Sequence, residues 1–429
     1  MFDYAGVAVE IWYRILEEVI DLPYVLDTLV DRNRDHWRTS PWYHDAKVYE
    51  DSERQRKALR LVCRSWLSFA EGHKYRWITY DRSGNTAEHG EALEAIRSAT
   101  ASSFAHEASE EVILQSRPRR ILFNVTTRED MELFRTTVDH CSEKVTTFYA
   151  RCVSGYEDEI VDYMVQRRSK LPMLRCLALS LPTHSPNPFR LISTAFPNLL
   201  TLDTGGLWSY WLNDNDSLVL PDLEMLGLDV SAFSAGSLRN WHLPGMTHLS
   251  TPLGQHGIGD ALIILEPIKS LGANLLFLNI FRVKNRIRIP VEFWTWCPCL
   301  VELLTFLSWT YLDTAAPAGH PLKYVVHWPH YDATWVPLLT GNTSEIAGPA
   351  ALRSLTFLPP KLELFVVWHT WSEYLELLGH GYDRSQQEGF LVRMNEICVG
   401  RSVRVEDQNQ VGLDEFLEFL TLGKIYDIA

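Results

Sequence analysis

The N-terminal region carries two stretches in which apolar residues recur at helical steps of three and four. The first stripe consists of Trp12, Ile15, Leu16 and Val19, and the second of Leu59, Val62, Cys63, Trp66, Phe69 and Ala70. Each pattern predicts one helix that buries a single face, the second running from about Glu53 to Ala70. Residues 75–80 are rich in aromatic and β-branched side chains, which predicts a short strand. Between the helices, residues 31–53 are polar and aromatic, which predicts a loop insertion.

A motif of the form L-x-x-L-x-L recurs through the rest of the chain. Its first apolar position is occupied by Val145, Leu174, Leu199, Leu223, Met246, Leu275, Leu300, Leu322 and Leu352. Successive positions lie between 22 residues (Leu300 to Leu322) and 30 residues (Leu322 to Leu352) apart. A period in the twenties with this motif is typical of leucine-rich repeats. The last two apolar residues of each unit face one side of a strand, and stacked neighbours share the core that they form.

Proline marks the start of many of these units. It stands two residues before the first apolar position at Pro172, Pro197, Pro221, Pro244 and Pro298. Because proline cannot continue a helix, each of these prolines indicates where the chain returns towards the next strand. The polar residue that usually follows the last leucine of the motif is missing, so we expect an irregular horseshoe with loops of unequal length.

The pattern therefore predicts an α/β fold in three parts. A helical domain would occupy residues 1–72 with its insertion at 31–53, and an irregular leucine-rich-repeat solenoid would occupy residues 73–400. Residues 117–126 and 362–368 predict further strands of the solenoid. Residues 401–429 would cap the last coil, which a solenoid needs. The helix of this cap is predicted by Leu413, Phe416, Leu417 and Leu420.

Two sequence pieces in the predicted helical domain at residues 1–72 are distinctive. They read Val9-Glu10-Ile11-Trp12-Tyr13-Arg14-Ile15-Leu16 and Leu59-Arg60-Leu61-Val62-Cys63-Arg64-Ser65-Trp66, and Arg76-Trp77 follows. Together they resemble an F-box, and an F-box followed by irregular leucine-rich repeats is similar to the F-box proteins, especially those of fungi. The Leu-Pro that usually opens the motif is absent here. The connection between the two pieces is also longer than usual by roughly two dozen residues.

The resemblance implies that the N-terminal helices bind the adaptor Skp1, which attaches the protein to a cullin-RING ubiquitin ligase. The residues that would contact Skp1 are Val9, Ile11, Trp12, Ile15, Leu16, Leu59, Leu61, Val62, Cys63 and Trp66. The repeats would hold a protein substrate while other subunits transfer ubiquitin, so the chain itself would not be an enzyme. The alternative is a leucine-rich-repeat interaction scaffold whose N-terminal helices only cap the solenoid and do not bind Skp1.

Aromatic residues near the ends of successive strands are the candidates for substrate binding. They are Trp208, Tyr210, Trp211, Trp309, Tyr311, Trp328 and Trp368, and His369 and Trp371 extend the series. Solenoids often bind partners along one face, and Trp and Tyr are good anchors. The alternative is that these side chains fill irregular bends of the solenoid. The sequence leaves both readings open.

Composition narrows the remaining classes of function. The 429 residues carry a net charge of −14, which argues against nucleic acid and anionic membranes as partners. The seven cysteines, the absence of a signal-like N-terminus and the absence of a long apolar run favour an intracellular protein, cytoplasmic or nuclear. No nucleotide-binding or hydrolase motif occurs, and no cofactor is implied. Cys297 and Cys299 flank one proline and have no second pair, so we expect no metal site there.

Overall fold

The computed structural model of the chain has a mixed α/β architecture with a large parallel sheet. It describes residues 11–12, 14–16, 46–72, 77–80, 119–140, 144–152, 155–181, 187–204, 211–212, 215–228, 232–233, 238–252, 265–281, 287–305, 310–312, 316–327, 361–367, 370–379 and 384–421.

Residues 11–12 and 14–16 are helical. The further helices are α1 (Ala46–Leu59), α2 (Arg64–Gly72), α3 (Arg128–His140), α4 (Glu157–Gln166), α5 (Pro188–Ala195), α6 (Glu266–Leu271), α7 (Phe293–Trp296), α8 (Trp371–Gly379), α9 (Arg384–Val399) and α10 (Leu413–Thr421). The strands are β1 (Trp77–Tyr80), β2 (Arg120–Val125), β3 (Thr147–Cys152), β4 (Cys176–Leu179), β5 (Thr201–Asp203), β6 (Trp211–Leu212), β7 (Leu218–Val219), β8 (Met225–Gly227), β9 (Ala232–Phe233), β10 (Trp241–His242), β11 (His248–Pro252), β12 (Phe277–Phe281), β13 (Ile287–Ile289), β14 (Glu302–Thr305), β15 (Thr310–Leu312), β16 (Tyr324–His327), β17 (Leu364–Val367) and β18 (Arg404–Asp407).

The chain divides into two compact units. The first holds Met1–Tyr210, Asp216–Met225 and Trp241–Gly245, and the second holds Trp211–Asn215, Leu226–Asn240 and Met246–Ala429. In the first unit, strands β1 to β5 pair in parallel in the order of the sequence. Their buried apolar residues stand in register, one beside the next. This row consists of Ile78, Ile121, Phe148, Leu177 and Leu202.

The second unit repeats this arrangement. Strands β11, β12, β14, β16, β17 and β18 pair in parallel, again in the order of the sequence. The in-register row of buried residues is Leu249, Leu278, Leu303, Val325, Phe365 and Val405. Outside this set of strands, the short strands β13 and β15 pair with each other in parallel, as do β6 and β9.

The predicted motif positions locate the strands closely. Eight of the nine L-x-x-L-x-L units fall within the described residues, and in each the strand begins two residues after the first apolar position. Every one of those first positions is buried, from Val145 to Leu322. The ninth unit, which begins at Leu352, lies outside the described residues. The strand predictions for 117–126 and 362–368 are confirmed by β2 and β17, and the prediction for 75–80 by β1.

A recurring hydrogen-bond pattern marks the start of eight of the described strands. Arg175 and Cys176 both donate their backbone N–H groups to the carbonyl of Thr146, at 2.8 and 2.9 Å. One unit later, Leu200 and Thr201 donate to the carbonyl of Arg175, at 2.8 and 3.1 Å. The same two-donor pattern occurs at the carbonyls of Arg119, Leu200, Thr247, Leu276, Val301 and Lys323. Parallel strands therefore enter the sheet at the same level, which aligns their apolar side chains.

The N-terminal helices differ from the prediction at two points. The predicted single helix over 53–70 is wrong, because the chain leaves helical geometry at residues 60–63 and α1 and α2 are separate. Val62 and Cys63, placed by periodicity on the buried stripe, lie in this turn and are exposed. The loop prediction for 31–53 is wrong from residue 46 onwards, where α1 begins. Residues 31–45 lie outside the described part of the chain.

At the C-terminus, α10 confirms the predicted helix after Gly412. The segment expected to act only as a cap also contributes a strand, since β18 pairs with β17. Trp371 at the start of α8 is buried and stacks on Phe416 of α10, with ring centroids 5.9 Å apart. Its indole Nε1 donates to the carbonyl of Val411 at 2.8 Å, so this tryptophan belongs to the core.

Candidate partner-binding surface

The N-terminal helices are built around a small hydrophobic cluster of their own. It consists of Leu16, Leu59, Phe69 and Ala70, with Trp66 half-buried against it. Trp12 from the first helical segment lies beside Trp66, with ring centroids 6.3 Å apart and the rings tilted at 46°. Because each of the three helical pieces contributes to this cluster, their packing fixes which side chains remain on the outside.

Arg56 joins α1 to α2 inside this arrangement. Its side chain is only 2% exposed, and its Nη1 donates to the backbone carbonyl of Ala70 at 3.1 Å. Its Nε and Nη2 donate to the carboxylate of Glu53, with contacts between 2.8 and 3.1 Å. The guanidinium thus satisfies one of the carbonyls in the last turn of α2 while a charged partner compensates its own burial.

Five large apolar side chains are exposed on the N-terminal helices and the turn between α1 and α2. They are Ile11, Ile15, Leu61, Val62 and Leu67, which we call the N-terminal apolar surface. Leu61 is 88% exposed and Val62 is 56% exposed. Eleven large apolar side chains are exposed among the described residues, so nearly half of them belong to this short part of the chain. This concentration makes the N-terminal helices the candidate contact region among the described residues.

The turn that presents Leu61 and Val62 is held by backbone hydrogen bonds. The N–H of Leu61 donates to the carbonyl of Ala58 at 3.1 Å, and that of Val62 to Leu59 at 3.2 Å. The N–H of Leu67 donates to the carbonyl of Cys63 at 2.9 Å, which starts α2. These bonds define the backbone geometry that carries the exposed side chains.

The residues predicted to contact Skp1 fall into distinct groups. Ile11, Ile15, Leu61, Val62 and Cys63 are exposed, Trp12 and Trp66 are half-buried, and Leu16 and Leu59 are buried in the internal cluster. Val9 lies outside the described residues. Leu67 was missed, because it lies off the apolar stripe and only the observed packing shows that it faces outwards.

The aromatic candidates for substrate binding are mostly beyond the described residues. This applies to Trp208, Tyr210, Trp309, Trp328, Trp368 and His369. Trp211 and Tyr311 lie in the strands β6 and β15, whose backbone alone is described. Trp371 is the exception, and its burial agrees with the alternative reading in which such residues fill the core.

Both thiols of the Cys-Pro-Cys stretch lie within the described residues. Cys297 is buried and Cys299 is exposed, so the two thiols of the Cys-Pro-Cys stretch differ in their surroundings. Burial raises the pKa of Cys297 to about 12, which keeps its thiol protonated at neutral pH.

Within the described ranges, no group of three or more His, Cys, Asp or Glu residues is arranged to hold a metal ion. The helices of those ranges include none long and apolar enough to cross a bilayer.

Comparison with known proteins gives no further assignment. No family model matches the chain, and no curated protein sequence matches it. The assignment of function therefore depends on the residues and their packing.

Proposed function

We propose that the protein is a substrate-recognition subunit of a Skp1–cullin–F-box ubiquitin ligase. The N-terminal apolar surface would bind Skp1, and the repeated part of the chain would bind a protein substrate. The observation that carries this proposal is the exposure of Ile11, Ile15, Leu61 and Val62 on helices and a hydrogen-bonded turn. These four residues lie within the two pieces that resemble an F-box.

The physical basis of the proposed contact is the burial of apolar area. Each exposed Leu, Ile or Val that becomes buried contributes up to about 1.5–3 kcal/mol before the costs of association. Interfaces concentrate their affinity in a few such anchors near the centre. Leu61 is the most exposed of the set and lies at the tip of the turn, so we assign it the central position.

For the rest of the chain we propose an irregular leucine-rich-repeat solenoid. Three observations support this: one sheet strand per repeat in the described units, the in-register rows of buried apolar residues, and the recurring two-donor hydrogen bonds. A stack of this kind presents an extended surface and needs no catalytic group of its own. Its role would be to hold the substrate while other subunits transfer ubiquitin.

Calorimetric titration with purified Skp1 tests this proposal. We expect Leu61→Asp and Val62→Asp each to weaken binding by about 2 kcal/mol, which corresponds to roughly 30-fold in Kd. Val399→Asp is the matched control, because Val399 is 63% exposed and lies far along the chain in α9. Equal affinity for all three variants and the wild type would refute the proposed surface.

A second candidate function is the interaction scaffold that does not bind Skp1. It is favoured by the burial of Leu16 and Leu59 in the internal cluster, which gives two of the F-box-like residues a purely structural role. On this reading the N-terminal helices cover the end of the repeats. A folded wild-type protein that does not co-elute with Skp1 in size-exclusion chromatography would support the scaffold.

A further inference from the structure

A cleft of about 610 Å³ lies between α4 and α5 in the first unit. It is lined by the apolar side chains of Val165, Leu191 and Ala195 and by the polar side chains of Arg168, Asn187, Arg190 and Thr194. This volume is within the range of sites that bind small molecules or a few side chains of a partner. None of the residues that line the cleft is acidic.

The two arginines of the cleft differ from their neighbours in how their charge is compensated. Arg167, directly before Arg168, forms an ion pair with Asp139 at 2.7 Å. Arg135 on α3 likewise has Glu132 as a partner at 3.0 Å. In the part of the chain that the structure describes, neither Arg168 nor Arg190 forms an ion pair. Two guanidinium groups without an ion-pair partner among the described residues therefore line one cleft.

The position of Arg190 strengthens this point. It lies in the first turn of α5, where the backbone amides make the helix end partly positive and disfavour a cation. The N–H of Arg190 is already satisfied by the side chain of Asn187, whose Oδ1 accepts it at 3.1 Å. An anion beside Arg190 would be attracted by both the guanidinium and the helix end, so it would offset the unfavourable placement.

We propose that this cleft binds an acidic peptide segment of a partner protein. An apolar side chain of the peptide would rest on Val165, Leu191 and Ala195, and flanking carboxylates would pair with Arg168 and Arg190. Planar guanidinium groups match the geometry of carboxylates, which makes arginine well suited to this role. The net charge of −14 argues against nucleic acid as the ligand. The proposal does not depend on Skp1 binding.

Fluorescence polarisation with the full chain tests the proposal. The probe is a labelled Asp-Glu-Leu-Asp-Glu peptide, and its neutral counterpart is Asn-Gln-Leu-Asn-Gln. We expect the acidic peptide alone to bind saturably, and Arg168→Gln and Arg190→Gln each to weaken it about 2- to 5-fold. The double variant should lose about tenfold or more. Both arginines are exposed, so these variants should keep the circular dichroism spectrum of the wild type.

The control variant is Arg393→Gln, which removes the same charge from an exposed position on α9. It should bind the acidic peptide as the wild type does. The proposal is overturned if the neutral peptide binds equally well, if Arg393→Gln weakens binding as much as the cleft variants, or if no saturable binding occurs. If a single-stranded oligonucleotide at the same concentration as the peptide displaces it, the proposal of a peptide site is overturned in favour of a nucleic-acid site.

Discussion

Arg56 donates a hydrogen bond to the backbone carbonyl of Ala70, although the two residues lie fourteen positions apart. This contact ties the last turn of α1 to the last turn of α2, and the turn between the two helices carries Leu61 and Val62. The buried guanidinium and the exposed apolar turn are thus parts of one arrangement. The orientation of the proposed Skp1 contact depends on an internal polar contact that no apolar pattern reveals.

Replacing Arg56 should loosen the packing of α1 against α2. In Arg56→Met the carbonyl of Ala70 loses its donor, and an unsatisfied buried carbonyl costs about 1–3 kcal/mol. We expect faster hydrogen exchange of the amides in α1 and α2, measured by mass spectrometry on peptides from this region. Arg54→Met is the control, because Arg54 is exposed on the same helix. Equal exchange in the two variants would contradict the assigned role.

The hydroxyl of Tyr80 on β1 donates to the carboxylate of Asp130 in the first turn of α3, at 2.7 Å. Asp130 also accepts from the N–H groups of Thr126 and Thr127 and from the Thr126 hydroxyl. Burial alone would raise the pKa of Asp130, but these hydrogen bonds lower it to about 2. The carboxylate therefore stabilises the folded state above its unfolded pKa of 3.8, and this stability is lost as the pH falls towards 2.

Tyr80→Phe should remove one of these donors and raise the pKa of Asp130. Because the bond is buried and its acceptor is charged, we expect a loss of about 1.5–3 kcal/mol in the free energy of unfolding at pH 7. Urea unfolding between pH 2.5 and 7 measures the difference in the free energy of unfolding between Tyr80→Phe and the wild type. This difference should shrink as the pH falls and Asp130 becomes protonated. Tyr324→Phe is the control, since its hydroxyl meets Glu363 at an exposed position and at 3.4 Å. A similar loss in both variants would argue against the role of Asp130.

His320 is a second group through which the stability of the folded state depends on pH. Its Nε2 lies 2.9 Å from the carbonyl of Cys297 and its Nδ1 accepts the N–H of Leu322 at 3.3 Å, an arrangement that requires the neutral imidazole. Burial lowers the pKa of His320, and the hydrogen bond to Cys297 offsets part of that effect. The unfolded state therefore binds a proton more readily, and stability falls as the pH drops below 6.5.

His320→Gln should remove this part of the pH dependence. We expect the free energy of unfolding of the variant to change less than that of the wild type between pH 7 and 5. Chemical unfolding at several pH values, followed by circular dichroism, measures the difference. His242→Gln serves as the control, because His242 is exposed at the end of β10. If His320→Gln keeps the slope of the wild type, protonation of His320 does not limit stability in acid.

The strands could be predicted from the sequence because their signal is repeated. Each L-x-x-L-x-L unit marks the corner residue and the buried residues of one strand, and nine units with similar spacing fix a common register. The strand start two residues after Leu174 or Leu300 follows from that register. β18 was not predicted as a strand, since only Val405 within it and Val403 just before it carry the apolar alternation, and the segment lies next to a clear helical pattern.

The two N-terminal helices show what the pattern could not supply. Residues 46–59 form a helix without an apolar stripe, and their high content of Ala, Glu, Lys and Arg is only a weak indication. The steps from Leu59 to Val62 and Trp66 suit one continuous helix, so periodicity alone does not reveal the turn at 60–63. The cleft was equally hidden, because Arg168 and Arg190 are brought together only by the packing of α4 and α5.

Co-purification with Skp1 from cells is the measurement that tests the central claim most directly. The wild type and the control Val399→Asp should retain Skp1 at about equal molar amounts, and the double variant Leu61→Asp, Val62→Asp should lose it. Both substituted residues are exposed, so the double variant should keep its thermal unfolding midpoint. Skp1 retained by a folded double variant, or absent from a folded wild type, would contradict the account.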